Sequence, residues 1–199
     1  PPVRAGGGTG MPMSRLGYAA LKLRGIAALV LNRHGAAEAV FSAMLGRWPG
    51  DAYALASRAH LRAQLGRVDD ALTDAQALVQ AHPGGAADWF NLAFLLERAD
   101  RLDEARPAFE RAVALDPKLD RAWYGLAIVL IRQRSLDEAV AALKRNTELQ
   151  PMSPYGWYQL ARVHMDRQQP DEARRVIRHL HGFEPKVAAQ LERETGLVG

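Results

Sequence analysis

Apolar positions recur along this chain with the 3.6-residue spacing of helices facing a core, and that helical pattern itself returns every 34 residues. The clearest copy covers residues 88–117, DWFNLAFLLERADRLDEARPAFERAVALDP. Shifted by 34 residues it reappears: Trp89 matches Trp123 and Trp157, Ala105 matches Ala139 and Ala173, and Pro117 matches Pro83, Pro151 and Pro185. A fixed period of this length marks a supersecondary unit that buries its apolar face by stacking on its neighbours. Function is therefore to be sought on surfaces more than in a catalytic pocket.

Four clear units, 52–85, 86–119, 120–153 and 154–185, each predict two helices of about a dozen residues joined by a tight turn. Proline cannot continue a helix and disfavours the helical conformation in the residue before it, so the second helices are expected to stop at His82, Asp116, Gln150 and Glu184. Start signals sit inside the turns: Gly66, Asp100, a capping box over Ser135 to Glu138, and Pro170 in a first turn. Pro107, inside a second helix, removes one backbone bond and predicts a bend there. On each first helix the fourth, seventh, eighth and eleventh positions share a face, as in Trp89, Leu92, Ala93 and Leu96, or Trp123, Leu126, Ala127 and Leu130. Alanines at the eighth position (Ala59, Ala93, Ala127, Ala161) and the twentieth (Ala71, Ala105, Ala139, Ala173) let paired helices approach closely. With the tryptophans read as core, Trp123→Ala is expected to cost about 3–5 kcal/mol.

Residues 14–48 are also helical in pattern, with a break at 32–35, and 18–51 reads as a worn copy of the unit. Its internal glycine is out of register, which predicts an altered hairpin turn. Residues 186–196, with Val187 and Leu191 four apart and Gly196 as a stop, read as a helix capping the array. Residues 1–13, rich in Gly and Pro and without periodicity, read as a flexible tail or a cloning remnant ahead of a natural start at Met11 or Met13. Their GGGTG run lacks the Gly-Lys-Ser/Thr ending and the preceding strand of a phosphate loop.

Composition narrows the function classes. The 199 residues carry a net charge of +4, but basic and acidic side chains are interleaved, as on solvated helix faces, and nucleic-acid binding is not expected. The abundance of Arg and Ala is that of proteins from GC-rich bacterial genomes. No cysteine is present, which excludes disulfides, thiolate zinc sites and a cysteine nucleophile. That fits cytoplasm or periplasm, with the cytoplasm favoured. The apolar run at 25–31 is far short of the ~20 residues a membrane span requires. His179 and His181 lie two apart and point to different sides of a helix, so neither a metal site nor any other cofactor is expected. The recurring acidic pairs Asp69–Asp70, Asp103–Glu104 and Asp137–Glu138 stand where second helices start and favour the helix dipole. No Ser/His/Asp set or HExxH motif is present, and the chain reads as a non-enzyme.

The residue set of each unit resembles the tetratricopeptide repeat family, closely over 52–185 and loosely over 18–51. The resemblance implies an all-α solenoid of antiparallel helix pairs in a right-handed superhelix, whose first helices line a concave groove that binds peptides or partner proteins. Departures are visible. Arg58 and Arg62 stand at the seventh and eleventh positions, and Arg24 at the seventh of the worn unit, where apolar residues are expected. The N-terminal half is accordingly expected to pack less tightly, with arginine stems along the surface. Asn146 and Leu180 replace the usual alanine at the twenty-seventh position.

The second, fifth, ninth, twelfth and thirteenth positions of the first helices form a stripe turned away from the core. With neighbouring Asn91, the stripe gives the candidate peptide groove: Tyr53, His60, Phe90, Asn91, Phe94, Arg98, Arg121, Tyr124, Arg132, Tyr155, Tyr158 and Arg162. Aromatic rings beside arginines suit a protein or peptide partner with apolar side chains and some negative charge. The carboxylate clamp of some family members, Lys, Asn, Asn, Lys and Arg, falls here on Ala56, His60, Asn91, Arg121 and Gly125, so only Asn91 matches outright. The leading expectation is a scaffold or adaptor. The alternatives are a substrate-presenting part of a larger enzyme and a self-assembling scaffold in which an end surface or the capping helix docks into another copy.

Overall fold

The computed structural model describes residues 15–197, so the expected tail lies outside the described residues. Those residues form eleven helices and no strand: α1 (Arg15–Val30), α2 (His34–Arg47), α3 (Ala52–Gln64), α4 (Val68–Ala81), α5 (Ala86–Arg98), α6 (Leu102–Leu115), α7 (Asp120–Arg132), α8 (Leu136–Leu149), α9 (Pro154–Asp166), α10 (Pro170–His181) and α11 (Pro185–Thr195). Each odd helix packs on the even helix that follows, and each even helix packs on the next odd one, giving an α-solenoid. First helices also touch one another, α5 against α7 and α9 against α11, which places them on the inner side of the curve.

One turn geometry closes all five hairpins. Asn32, Gly66, Asp100, Arg134 and Gln168 follow one another at the repeat interval and share the left-handed conformation, with φ of 53°, 76°, 61°, 62° and 57°. The residue after each donates its backbone N–H to a carbonyl five residues earlier, as from Arg33 to Ala28 at 2.8 Å and from Ser135 to Leu130 at 2.9 Å. This is the Schellman closure of a helix C-terminus. The expectation of an altered first turn is thereby corrected: Asn32, a residue that tolerates left-handed φ, replaces Gly66 in the same geometry. The expected capping box is also corrected, because the Ser135 side chain makes no cap hydrogen bond. The side-chain cap is instead Asp51, which accepts from the Ala54 N–H at 2.8 Å and from the Tyr18 hydroxyl at 2.9 Å. Second helices α4, α6 and α8 end one residue before the expected stops, and α10 ends at His181, three before Glu184. Helix α6 continues through Pro107.

The eighth- and twentieth-position alanines are buried throughout the clear units. The tryptophans are not core in the sense expected. Trp89, Trp123 and Trp157 are half-buried, and each indole N–H donates to the carbonyl of the proline six residues earlier, at 3.0, 3.0 and 2.9 Å. They peg the turns between repeats, so Trp123→Ala carries a smaller cost, about 2–3 kcal/mol, than full burial implies.

The core divides inside α3 and α4. One apolar cluster joins Phe41, Met44, Leu45, Leu55 and Leu61 around α2 and α3, and the other runs from Ala71 and Leu72 to Leu191 in α11. Between them lie Arg58 and Arg62, which point inward instead of along the surface, a further correction to the sequence reading. Asp74, 2% exposed, accepts from Arg58 Nε at 2.9 Å, from Arg58 Nη2 at 2.7 Å and from Arg62 Nη1 at 2.8 Å. Arg58 also donates to Ser42 at 2.9 Å, and Glu38 accepts from Arg62 at 2.8 Å and from Arg67 at 2.7 Å. Hydrogen bonds from Arg67 and Arg62 hold the Glu38 carboxyl down at about 2.

Candidate functional site

A cavity of about 350 Å³ opens on the inner face between α3 and α5, with α4 as its floor. Ala56, Ala59 and Ala63 line one wall, Ala75 and Leu78 the floor, and Phe90, Phe94 and Leu95 the other wall; His60, Gln64, Asp88, Asn91 and Arg98 supply its polar atoms. The cavity exists because one repeat is short of bulk at two places at once. At the fifth position the later units carry Phe90, Tyr124 and Tyr158, whereas this one carries Ala56. At the twenty-fourth position Phe41, Phe109, Leu143 and Ile177 fill their surroundings, whereas this unit carries Ala75. In the next repeat the space is closed by Phe109, which packs 6.0 Å from Phe90 and lies so close to Gly125 that any Cβ there would strike its ring.

Of the residues expected to form a groove, the cavity brings together His60, Phe90, Asn91, Phe94 and Arg98. Phe90 and Phe94 stack with centroids 6.2 Å apart, and Phe94 is 46% exposed. The Arg121 guanidinium lies 4.7 Å above the Phe90 ring and that of Arg98 lies 5.9 Å from Phe94, so both cations border the aromatic wall.

The remaining candidates lie elsewhere. Tyr53 packs edge-on against Phe41 at 6.0 Å under the Lys22 ammonium. Tyr124 is half-buried on α7. Arg132 is committed to ion pairs with Glu97 at 2.7 Å and with Asp100. Tyr155 is 71% exposed at the start of α9. Tyr158 donates its hydroxyl to Glu194 of α11 at 2.7 Å, with Arg162 at 3.4 Å from the same oxygen. That hydrogen bond raises the Tyr158 pKa and lowers that of Glu194. The inner stripe is thus open at α3–α5, whereas at α9 its middle residue, Tyr158, is tied to the last helix.

Sequence reasoning missed Ala56, Ala63, Gln64, Ala75, Leu78, Asp88 and Leu95, because a search for rings and charges passes over the small residues whose missing volume makes the cavity. The signal was present as two alanines at positions where the other repeats carry large side chains. Asp88 stands out for a different reason: its position is filled by Ala54, Ala122 and Gly156 in the other clear units, all buried. Burial raises the Asp88 pKa, against a smaller lowering by His82. Among the described residues no group of His, Asp and Glu is arranged to hold a metal ion, and no helix is long and apolar enough to cross a membrane.

A solenoid of helix hairpins with its first helices inward and an open cleft among them defines a class of protein-interaction folds. The family is explicit in the sequence: one tetratricopeptide repeat model matches residues 12–52 and 57–120, a second matches 96–158 and a third 154–179. The chain belongs to the tetratricopeptide repeat family. Among solved structures, a tetratricopeptide repeat protein from Parabacteroides merdae superposes with a TM-score of 0.79 at 17% identity, over 91% of this chain and 74% of that one. MamA protein gives 0.76 at 18% identity, over 91% of this chain and 97% of that one. YrrB, described as a TPR protein with an unusual peptide-binding site, gives 0.76 at 17% identity, over 85% of this chain and 88% of that one. These likenesses concern the fold. A search of curated proteins finds no match.

Proposed function

We propose that this protein is a non-catalytic scaffold that holds a peptide, or an extended segment of a partner protein, on its inner face, with the α3–α5 cleft as the anchoring site. The observation that carries this reading is the cavity left by Ala56 and Ala75 beside the Phe90–Phe94 wall, an apolar space of ligand size that the other repeats fill for themselves. The peptide-binding site named for YrrB is consistent with such a use of the same fold. The partner has apolar side chains for the cavity and some negative charge for Arg98 and Arg121. The test gives this repeat the filling of unit 120–153: Ala75→Leu supplies at the floor the side chain that Leu143 supplies there. Peptides recovered by the wild-type protein should no longer bind, while thermal stability is unchanged or slightly raised. Equal binding by the filled variant rules the cleft out.

A second reading, association with another copy, is favoured by the exposed face of α1, the first helix of the array. Leu16, Leu23 and Val30 stand seven apart and are exposed, and Ala19 and Ile26 lie on the same exposed stripe, the spacing of a coiled-coil seam. Light scattering across a dilution series should show a concentration-dependent mass that Leu23→Glu abolishes. A mass that stays monomeric at every concentration removes this reading.

A further inference from the structure

Two charged groups in the cleft, Asp88 and Arg98, make no hydrogen bond or ion pair with their side chains among the described residues. Arg98 and Arg132 occupy the same position in consecutive first helices. Arg132 is neutralised by Glu97 and Asp100 of the repeat before it. The residues equivalent to that acidic pair, one repeat earlier, are Ala63 and Gly66, so Arg98 has no carboxylate to meet and rests against the Phe94 ring. At the other end of α5, Asp88 replaces the small buried residue of the other clear units and lies against Gly85, whose missing Cβ leaves room for the carboxylate. Its side chain likewise has no donor within hydrogen-bond distance, and His82 of the repeat before acts on it only at longer range. A partly desolvated carboxylate without a donor is costly unless a ligand supplies one.

We propose that the cleft selects its peptide by charge pattern, taking a bulky apolar side chain into the cavity, a basic group at Asp88 and a carboxylate at Arg98. This rests on the anchoring role given to the cleft above. Ten residues of helix separate the two charges, about 15 Å, which an extended peptide spans in about four or five residues. A cavity of about 350 Å³ is at the small end for ligand sites, so a single large side chain occupies it. The occupant is therefore a short segment in which an aromatic or large aliphatic residue stands between one basic and one acidic residue. A segment with the same charge on both sides of the anchor sets like against like at one end of α5 and is rejected. Arg121, stacked on Phe90 and unpaired among the described residues, adds positive charge beside the aromatic wall.

The experiment pans a random seven-residue peptide library against the wild-type protein and against Ala75→Leu, Asp88→Asn and Arg98→Gln, each checked for helicity. The wild type should enrich a large apolar anchor flanked by Lys or Arg on one side and Asp or Glu on the other. Replacing the acidic residue of a recovered peptide by Lys, or its basic residue by Glu, should weaken binding about tenfold by fluorescence polarisation, as expected when a charge-assisted contact at a partly open site becomes a repulsion. Asp88→Asn should lose the basic preference alone and Arg98→Gln the acidic preference alone. Enrichment of apolar anchors without opposite charges on their two sides, with binding still lost in Ala75→Leu, overturns the charge-pattern reading and leaves the anchoring cleft standing. Recovery no different between wild type and Ala75→Leu removes both.

Discussion

The second and third repeats of this solenoid, 52–85 and 86–119, use one backbone geometry but hold their first and second helices together by different forces. At the seventh, eleventh and twenty-third positions the third repeat places Leu92, Leu96 and Ala108, all buried. The second repeat places Arg58, Arg62 and Asp74 there, with the arginine side chains 17% and 15% exposed and the aspartate 2%. A helix hairpin closed by the same left-handed turn thus accepts either an oily seam or an ionic one, provided that the ionic one is complete. Asp74 receives three hydrogen bonds, and the arginines spend their remaining donors on Ser42 and Glu38 of the repeat before. The apolar seam packs any neighbour of the right size, whereas the ionic seam specifies α2 as the neighbour of α3, since only α2 brings Glu38 and Ser42.

The comparison is broken most severely by removing its centre. Asp74→Ala leaves two inward arginines without their shared carboxylate and should destabilise the protein by about 3–5 kcal/mol in chemical denaturation. Converting the whole seam to the type of the next repeat, with Arg58→Leu, Arg62→Leu and Asp74→Ala together, should restore wild-type stability or exceed it by about 1–4 kcal/mol. A triple variant no more stable than Asp74→Ala alone would show that the two seams are not interchangeable.

The smallest effect is in pH. The Glu38 carboxyl titrates at about 2 in the folded protein against an ordinary value of 4.5, so its contribution is fully present above 4.5 and is lost as pH falls through about 2. Because the group is partly open to solvent, we expect about 1–2 kcal/mol to disappear over that window. Glu38→Gln should flatten this part of the stability profile and leave the neutral-pH transition sharp.

How much is readable from sequence differs between these repeats. The helix pairs, their period and the buried alanines at the eighth and twentieth positions follow from the spacing of apolar residues. The first hairpin turn escapes that reading because glycine is the usual mark of the left-handed residue, and Asn32 serves in its place. The direction of Arg58 and Arg62 escapes it because their partner, Asp74, is twelve to sixteen residues away on another helix, and nothing local says that a carboxylate waits there. Rings and arginines near the cleft are selected from sequence by helical phase alone. That phase cannot tell Arg98, free at the cleft, from Arg132, tied to Glu97 and Asp100, since the difference lies in the repeat before.

By itself the sequence determined the family and the all-α solenoid, because these depend on periodic patterns within 34 residues and on turn chemistry local to each hairpin. Only the tertiary structure decided which charges are spent and where space is left over. Both depend on what a neighbouring repeat places opposite, and the α3–α5 cavity is an absence of atoms, created by Ala56 and Ala75 together and invisible at either position alone.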